Sequence, residues 1–246
     1  MKSFISEDNI EQAICNRLSQ PEYGWKRIEC SPELEDQDEV ASTGRANASE
    51  CILPEVFLSA LRRLNPQIDD EILKNILQDF RKDYSGTDMV DTNYKFYNQI
   101  RNGIKVKTRN QHREDFDIVK LIDFDHPERN DFHCVNQMWI KGHFRYRRPD
   151  VLLFVNGLPV VFIELKNSTV KIEESYNKNL VSYRKDIPNI FAMNQICVLS
   201  NGLQTKIGAW NAGYEFFFEW LRVNNEKEKL NREEIAEHGL SIQTLI

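Results

Sequence analysis

"RRPDVLLFVNGLPVVFIELKNS" runs from Arg147 to Ser168. Most of it is apolar and rich in β-branched residues, which predicts strands. Three charges interrupt the run: Asp150, Glu164 and Lys166. Asn156-Gly157 is a hairpin turn signal with apolar runs on both sides. A loop centred near position 157 sets Asp150 opposite Glu164, and loops of two or four residues move the partner by about one position. Strand side chains alternate, so Glu164 and Lys166 share a face and Leu165 points away. The three charges are therefore expected to converge at one end of the hairpin.

Two carboxylates in close approach repel, and one pKa rises unless positive charge lies between them. A hard divalent cation fits that need. Mg²⁺ takes oxygen ligands and is often held by only one or two carboxylates plus a substrate phosphate. A lysine beside it can hold or deprotonate a water and steady charge developing on the phosphate. The set suits metal-dependent phosphodiester hydrolysis. Read as structure alone, the same residues make a hairpin with a surface salt bridge.

The remaining composition sets limits. With 246 residues, 41% of them hydrophobic and 28% charged, the chain can bury a sizeable core as one large domain or two small ones. It contains no apolar run long enough to span a bilayer and no signal-peptide stretch, so no membrane association is expected. Five scattered cysteines, none in CxxC spacing, predict reduced thiols and a cytoplasmic location. The five histidines show no paired-ligand spacing. The net charge of −6 argues mildly against a polyanion partner. Yet "RNGIKVKTRNQHR" (Arg101–Arg113) holds five basic residues and "KGHFRYRR" (Lys141–Arg148) four, neither with an acid, while "ELEDQDE" (Glu33–Glu39) is acidic. Phosphate attraction is local, because charge is screened beyond roughly 8–10 Å. Arg145, Arg147 and Arg148, interleaved with Phe144 and Tyr146, lead straight into Asp150 and are the candidate DNA contacts.

Helical spacing predicts a first helix over "SEDNIEQAICNRLSQ" with Ser6 as N-cap. Residues 20–49 read as loop. "SECILPEVFLSALRRLNP" and "IDDEILKNILQDFRKDY" read as helices, and 93–102 continues helically. From Ile104 to about Ile207 the pattern turns to strands: "GIKVKT", "DIVKLIDF", "FHCVNQMWIK", "DVLLFV", "PVVFIEL" and "QICVLS". A helix over Thr169–Pro188 interrupts them, and "NEKEKLNREEIAEHGL" reads as a charged terminal helix.

At Arg147–Asn167 the sequence resembles the PD-(D/E)xK nucleases, and more closely the N-terminal nuclease domain of the motor (R) subunit of type I restriction enzymes. "LIDFDHPERNDFHCVNQ" (Leu121–Gln137) and "YRKDIPNIFAMNQICVLSNG" (Tyr183–Gly202) extend the likeness on either side, and "SEDNIEQAI" and "LNP" also fit. The resemblance implies an α/β fold with a restriction-endonuclease-like core: a mixed central sheet flanked by helices, with a helical N-terminal third. It implies a nuclease domain over 1–223, with its helical region at about 50–102, and a charged helix or linker over 224–246 leading towards an ATPase motor. By position, the metal-binding acids of the family fall on Asp150 and Glu164, and its catalytic lysine on Lys166. A further acid on the first helix falls on Glu11, with Glu7 as its rival. A helix start is enriched in acids for dipole reasons alone. The Gln-x-x-x-Tyr motif of relatives falls on Asn179 and Tyr183, and the asparagine is a departure.

The implied cofactor is Mg²⁺, with Mn²⁺ as substitute. ATP would serve motor domains only, and this chain has no G-x-x-x-x-G-K-[ST] loop. The implied partners are double-stranded DNA and the modification and specificity subunits of a type I complex, with the target site read by the specificity subunit and cleavage following stalled translocation. Two other readings stay open. One is a stand-alone PD-(D/E)xK nuclease of repair or recombination. The other is a DNA-binding or assembly module that keeps the fold without the chemistry.

Overall fold

The hairpin at the centre of the chain turns on two residues, Asn156 (φ 50°) and Gly157 (φ 80°). Positive φ at both positions matches the right-handed twist of the flanking strands. Gly157 is needed twice over, because a Cβ there would lie 2.6 Å from the Leu53 carbonyl oxygen and 2.8 Å from the Phe57 nitrogen. The turn is thus pinned to the start of a helix, and the Leu53 amide donates to the Gly157 carbonyl at 2.9 Å.

The computed structural model describes residues 6–30, 40, 42–110 and 113–219. The acidic stretch Glu33–Glu39 and the charged segment 224–246 lie outside the described residues. Helix α1 (Glu7–Leu18) is followed by β1 (Lys26–Glu29), then by helices α2 (Pro54–Leu64), α3 (Asp70–Phe80) and α4 (Met89–Asn102). The hairpin β2 (Ile104–Asn110) and β3 (Arg113–Val119) comes next, then β4 (Phe132–Asn136), β5 (Ile140–Lys141), β6 (Tyr146–Arg147), β7 (Val151–Val155) and β8 (Leu158–Leu165). Helix α5 comprises Ile172–Glu174, a π-helical stretch Ser175–Leu180 and Val181–Asp186. The strands β9 (Ile196–Ser200), β10 (Thr205–Gly208) and β11 (Phe218–Glu219) complete the fold.

The central sheet is mixed and seven-stranded, in the order β1-β4-β7-β8-β9-β10-β11. The β1–β4 and β8–β9 pairs are parallel and the others antiparallel. Alternation along β7 and β8 divides their apolar residues between two cores. Val151, Leu153, Ile163 and Leu165 pack with Ile10, Ile14 and Leu18 of α1. Leu152, Phe154 and Phe162 pack with Ile172, Leu180 and Tyr183 of α5. A third cluster joins α2, α3 and α4 to Leu158 at the turn, so the helical region leans on the hairpin's closed end.

Several expectations shift. Lys26–Glu29, inside the stretch read as loop, is an edge strand, and its sequence KRIE has one apolar residue; pairing with β4 makes it a strand. The run Phe132–Lys141 is two strands, broken where Gln137 adopts φ 60°. Helix α2 begins at Pro54, whose fixed φ suits a first helical position, and the five residues before it are not helical. The β2–β3 hairpin forms its own two-stranded sheet outside the central one. The short strands β6, β10 and β11 were too brief to carry a periodic signal.

Candidate active site

The open end of the β7–β8 hairpin gathers the charged residues. Val151 pairs with Ile163, so the register carries Asp150 to a place opposite Glu164. Asp150 Oδ2 accepts the Leu165 backbone N–H at 2.7 Å, which ties the start of one strand to the end of the other. Glu164 is buried, only 1% exposed. Its Oε1 accepts from Lys166 Nζ at 3.2 Å and from Asn179 Nδ2. Lys166 Nζ also donates to the Leu165 carbonyl at 2.7 Å and lies 3.8 Å from Glu7.

Helix α1 approaches from the other face. Ser6 caps it by accepting the Asn9 N–H at 3.1 Å. Glu7 and Glu11, four apart, share one side of the helix. Glu11 is the more buried, and it accepts from Asn136 Nδ2 at 2.9 Å and from Gln137 Nε2. The Gln137 backbone N–H donates to the Asp150 carbonyl at 2.9 Å. Gln137 therefore links the first-helix acid to the head of β7. Glu7 instead accepts from the Asn167 N–H at 3.3 Å. Asn136 and Gln137 were not singled out in the sequence; the available signal was two amides closing an apolar strand run.

The electrostatics are those of crowded acids. Burial raises the Asp150 carboxyl to about 6, with the Glu11 and Glu7 charges adding to the rise and the Leu165 N–H and Lys166 opposing it. Burial, then the Asp150 charge, holds Glu164 well above the usual carboxylate range. Burial also raises Glu11, against its two amide donors. An open cleft of ≈ 440 Å³ is lined by Glu7, Asp8, Glu11, Glu29 and Asp150, with Arg148 as the one cationic lining residue among the described residues.

Does this set suit a divalent cation? Among the described residues, no three His, Cys, Asp or Glu side chains converge as a ready cage. Two buried oxygens nevertheless lack a hydrogen-bond partner here, Glu164 Oε2 and Asn136 Oδ1. An unpartnered carboxylate oxygen in the interior is costly. The donors are hard oxygens, and a pair of carboxylates is what Mg²⁺ commonly accepts from a protein. The residues fit the ion.

Asn179 sits in the π-helical stretch of α5, and its amide reaches Glu164 despite being one methylene shorter than glutamine. Tyr183 is buried and donates to the Arg148 carbonyl at 3.4 Å. Burial, then the Glu164 and Asp150 charges, pushes its hydroxyl pKa up. The three arginines part company. Arg147 is forked onto Asp186, with Nε at 2.7 Å from Oδ2. Arg148 lies over the Trp139 ring at 5.1 Å and lines the cleft. Arg145 is exposed. Asn130 and Asp131 hold the closed end of the hairpin through Asn156, Arg63 and Lys26.

Comparison with known proteins gives the family. The family described as type I restriction enzyme R protein N terminus (HSDR_N) matches residues 4–216. The endonuclease subunit of the type I restriction enzyme HindI, from Haemophilus influenzae, is 30% identical over 233 residues, which is 93% of this chain and 21% of that protein. A protein of Methanocaldococcus jannaschii, named provisionally as the endonuclease subunit of the type I restriction enzyme MjaIXP, is 29% identical over 91% of this chain and 21% of its own length. The chain thus spans about a fifth of the length of these relatives. By a family match that covers most of its residues, the chain belongs to the N-terminal region of type I restriction enzyme R proteins.

Proposed function

We propose that this chain is a Mg²⁺-dependent DNA endonuclease domain with a PD-(D/E)xK, restriction-endonuclease-like core, acting as the nuclease module of a type I restriction R subunit. The observation that carries the reading is the meeting of Asp150, Glu164 and Lys166 at one strand end, with Glu164 Oε2 buried and unpartnered.

Asp150 and Glu164 would hold the cation, and Mn²⁺ would substitute for Mg²⁺. When bound, it supplies a Lewis acid for the scissile phosphate and acidifies the attacking water. Lys166, held by Glu164 and the Leu165 carbonyl, orients that water and steadies the charge developing on the phosphate. Asn179 fixes the Glu164 carboxylate through Oε1, leaving Oε2 for the ion. Glu11, held by Asn136 and Gln137, keeps a second negative charge at the cleft. The charges stand on a hairpin rather than a mobile loop, which preserves their spacing.

Double-stranded DNA is the substrate in this reading. Modification and specificity subunits are the partners, and ATP is used only by domains outside this chain. The five free, buried cysteines suit a reducing cytoplasm. Among the described residues no helix is long and apolar enough to cross a membrane.

The test is calorimetric titration of Mn²⁺ into the chain bound to a short duplex, beside Asp150→Ala and Glu164→Ala. Loss of binding in both variants supports the reading. Equal binding in all three, or none in the parent, overturns it in favour of a non-catalytic module.

A further inference from the structure

Phe144 is 93% exposed, more than any other large hydrophobic side chain among the described residues. It stands at the tip of the β5–β6 hairpin, six positions before Asp150. Single exposed apolar residues are ordinary on a protein surface. This one is held out on a braced support. The Gly142 N–H donates to the Arg145 carbonyl at 2.8 Å and closes the turn. The Lys141 N–H donates to the Ala48 carbonyl at 2.9 Å. Gly142 lies so close to the end of α5 that a Cβ would fall 1.7 Å from the Asp186 carbonyl oxygen. Arg147 locks the returning strand onto the Asp186 side chain. The tip is therefore displayed without the entropy loss a floppy loop would suffer on binding.

The tip also carries charge of one sign. Lys141 and Arg145 are exposed, and among the described residues neither has an acidic partner. Lys141 leans on the Tyr146 ring at 5.6 Å, and the His143 ring meets Phe144 edge-on at 5.4 Å. The acids lining the cleft repel phosphate, so the backbone flanking a phosphate docked there needs cations beside the cleft. Six residues of extended chain span at most about 20 Å, less than one turn of duplex DNA. A duplex with a phosphate at the cleft therefore has its neighbouring base steps within reach of the tip.

We infer that the β5–β6 hairpin is a DNA wedge: Phe144 enters the duplex next to the cleavage centre and stacks on an unstacked base, while Lys141 and Arg145 hold the flanking phosphates. Apolar side chains inserted at base steps work in this way elsewhere, and aromatic stacking on an exposed base does not depend on its identity. This inference rests on the nuclease reading, and it needs no sequence recognition by this chain.

The test compares the affinity of the 246-residue chain for a perfect duplex with its affinity for the same duplex carrying one mismatch, in Ca²⁺ so that no strand is cut. A mismatch meets the unstacking cost in advance, so the parent binds the mismatched duplex several-fold tighter. Phe144→Ala binds the mismatched duplex about 5- to 150-fold more weakly, the range set by loss of one stacking contact, and the perfect duplex several-fold less so, because it no longer meets the unstacking cost; its preference falls to one. Phe144→Trp retains the preference. The exposed position makes loss of folding an unsuitable explanation, which thermal melting of each variant checks. A preference that persists in Phe144→Ala overturns the wedge, as does a parent without any preference; in both cases the Mn²⁺ titration still decides the nuclease reading separately. A parent that binds no DNA overturns both.

Discussion

Asp150 stands opposite Glu164 because the stretch of β8 paired with β7, Leu158 to Ile163, carries one residue more than β7 itself. The two-residue turn pairs Val155 with Leu158 and Phe154 with Pro159, a register that would continue to set Asp150 against Ile163. Between Leu153 and Phe154 the register shifts, and Val160 is left unpaired in the ladder. From there Leu153 pairs with Val161, and Asp150 comes opposite Glu164. Pro159 has no N–H to give the ladder, which suits it to a bulge. The Val160 carbonyl is satisfied instead by the Gln195 N–H at 2.9 Å. Without the bulge, Glu164 would fall on the α1 face, among Ile10 and Ile14.

Deleting Val160 should keep the site, because it removes only the unpaired residue: Phe154 still pairs with Pro159, Leu153 with Val161, and Asp150 stays opposite Glu164. Deleting Val160 and Val161 together should not. A regular ladder then sets Asp150 against Leu165 and turns Glu164 to the α1 face. We expect Mn²⁺ binding to survive the single deletion and to be lost from the double one in any protein that remains folded. Calorimetry beside circular dichroism checks this. A folded double-deletion variant with parental Mn²⁺ affinity would show that the register does not set the site.

The raised Asp150 pKa makes a prediction about pH. Its folded value is about 6, against 3.8 for the free group. The folded state thus holds the proton more tightly, so this stabilisation is complete below about pH 4 and lost as pH rises through 6. Above pH 7 without metal, the buried charge is a liability on the order of 1–3 kcal/mol. Asp150→Asn keeps an acceptor for the Leu165 N–H and cannot ionise. In EDTA at pH 7.5 it should melt several degrees above the parent, with the gap closing towards pH 4. A variant that melts at or below the parent at pH 7.5 refutes the assignment.

Lys166→Met removes the cation beside Glu164 while leaving both carboxylates. Cleavage by the assembled enzyme should fall by about 10²–10⁴-fold, the usual range for a group that handles a proton in the reaction. Mn²⁺ affinity should stay within a few-fold, or rise, since a positive neighbour is gone. Metal binding lost together with cleavage would make Lys166 a structural counter-ion instead.

Arg145 and Arg147 should separate cleanly. Arg147→Ala leaves the partly buried Asp186 without its fork. It should lower the melting temperature more than Arg145→Ala, which removes an exposed side chain. Arg145→Ala should weaken duplex binding and reduce the slope of log affinity against log salt by about one. Equal effects of the two on both stability and salt slope would contradict the division.

Much of this site was legible in the chain because its determinants are local. Asn156-Gly157 specifies a tight turn, alternation specifies faces, and Asp150, Glu164 and Lys166 lie within seventeen consecutive residues. Ser6 as an N-cap and the apolar stripes of α2 and α3 are equally short-range. What tertiary structure decided depends on contacts between residues far apart in sequence. Gln137 meets Glu11 across 126 positions, and Arg147 meets Asp186 across 39. Neither is readable from neighbours, so by sequence Asn136 and Gln137 fall inside one strand run, Phe132–Lys141, and Arg147 stands among the DNA contacts. Strand β1 exists only because β4 offers it an edge. The hairpin and its charges are therefore properties of the local sequence. Folding decided the extra residue that aligns the two carboxylates, the amides that hold the first-helix acid, and which arginine is left open to solvent, because each is selected by the packing of distant segments.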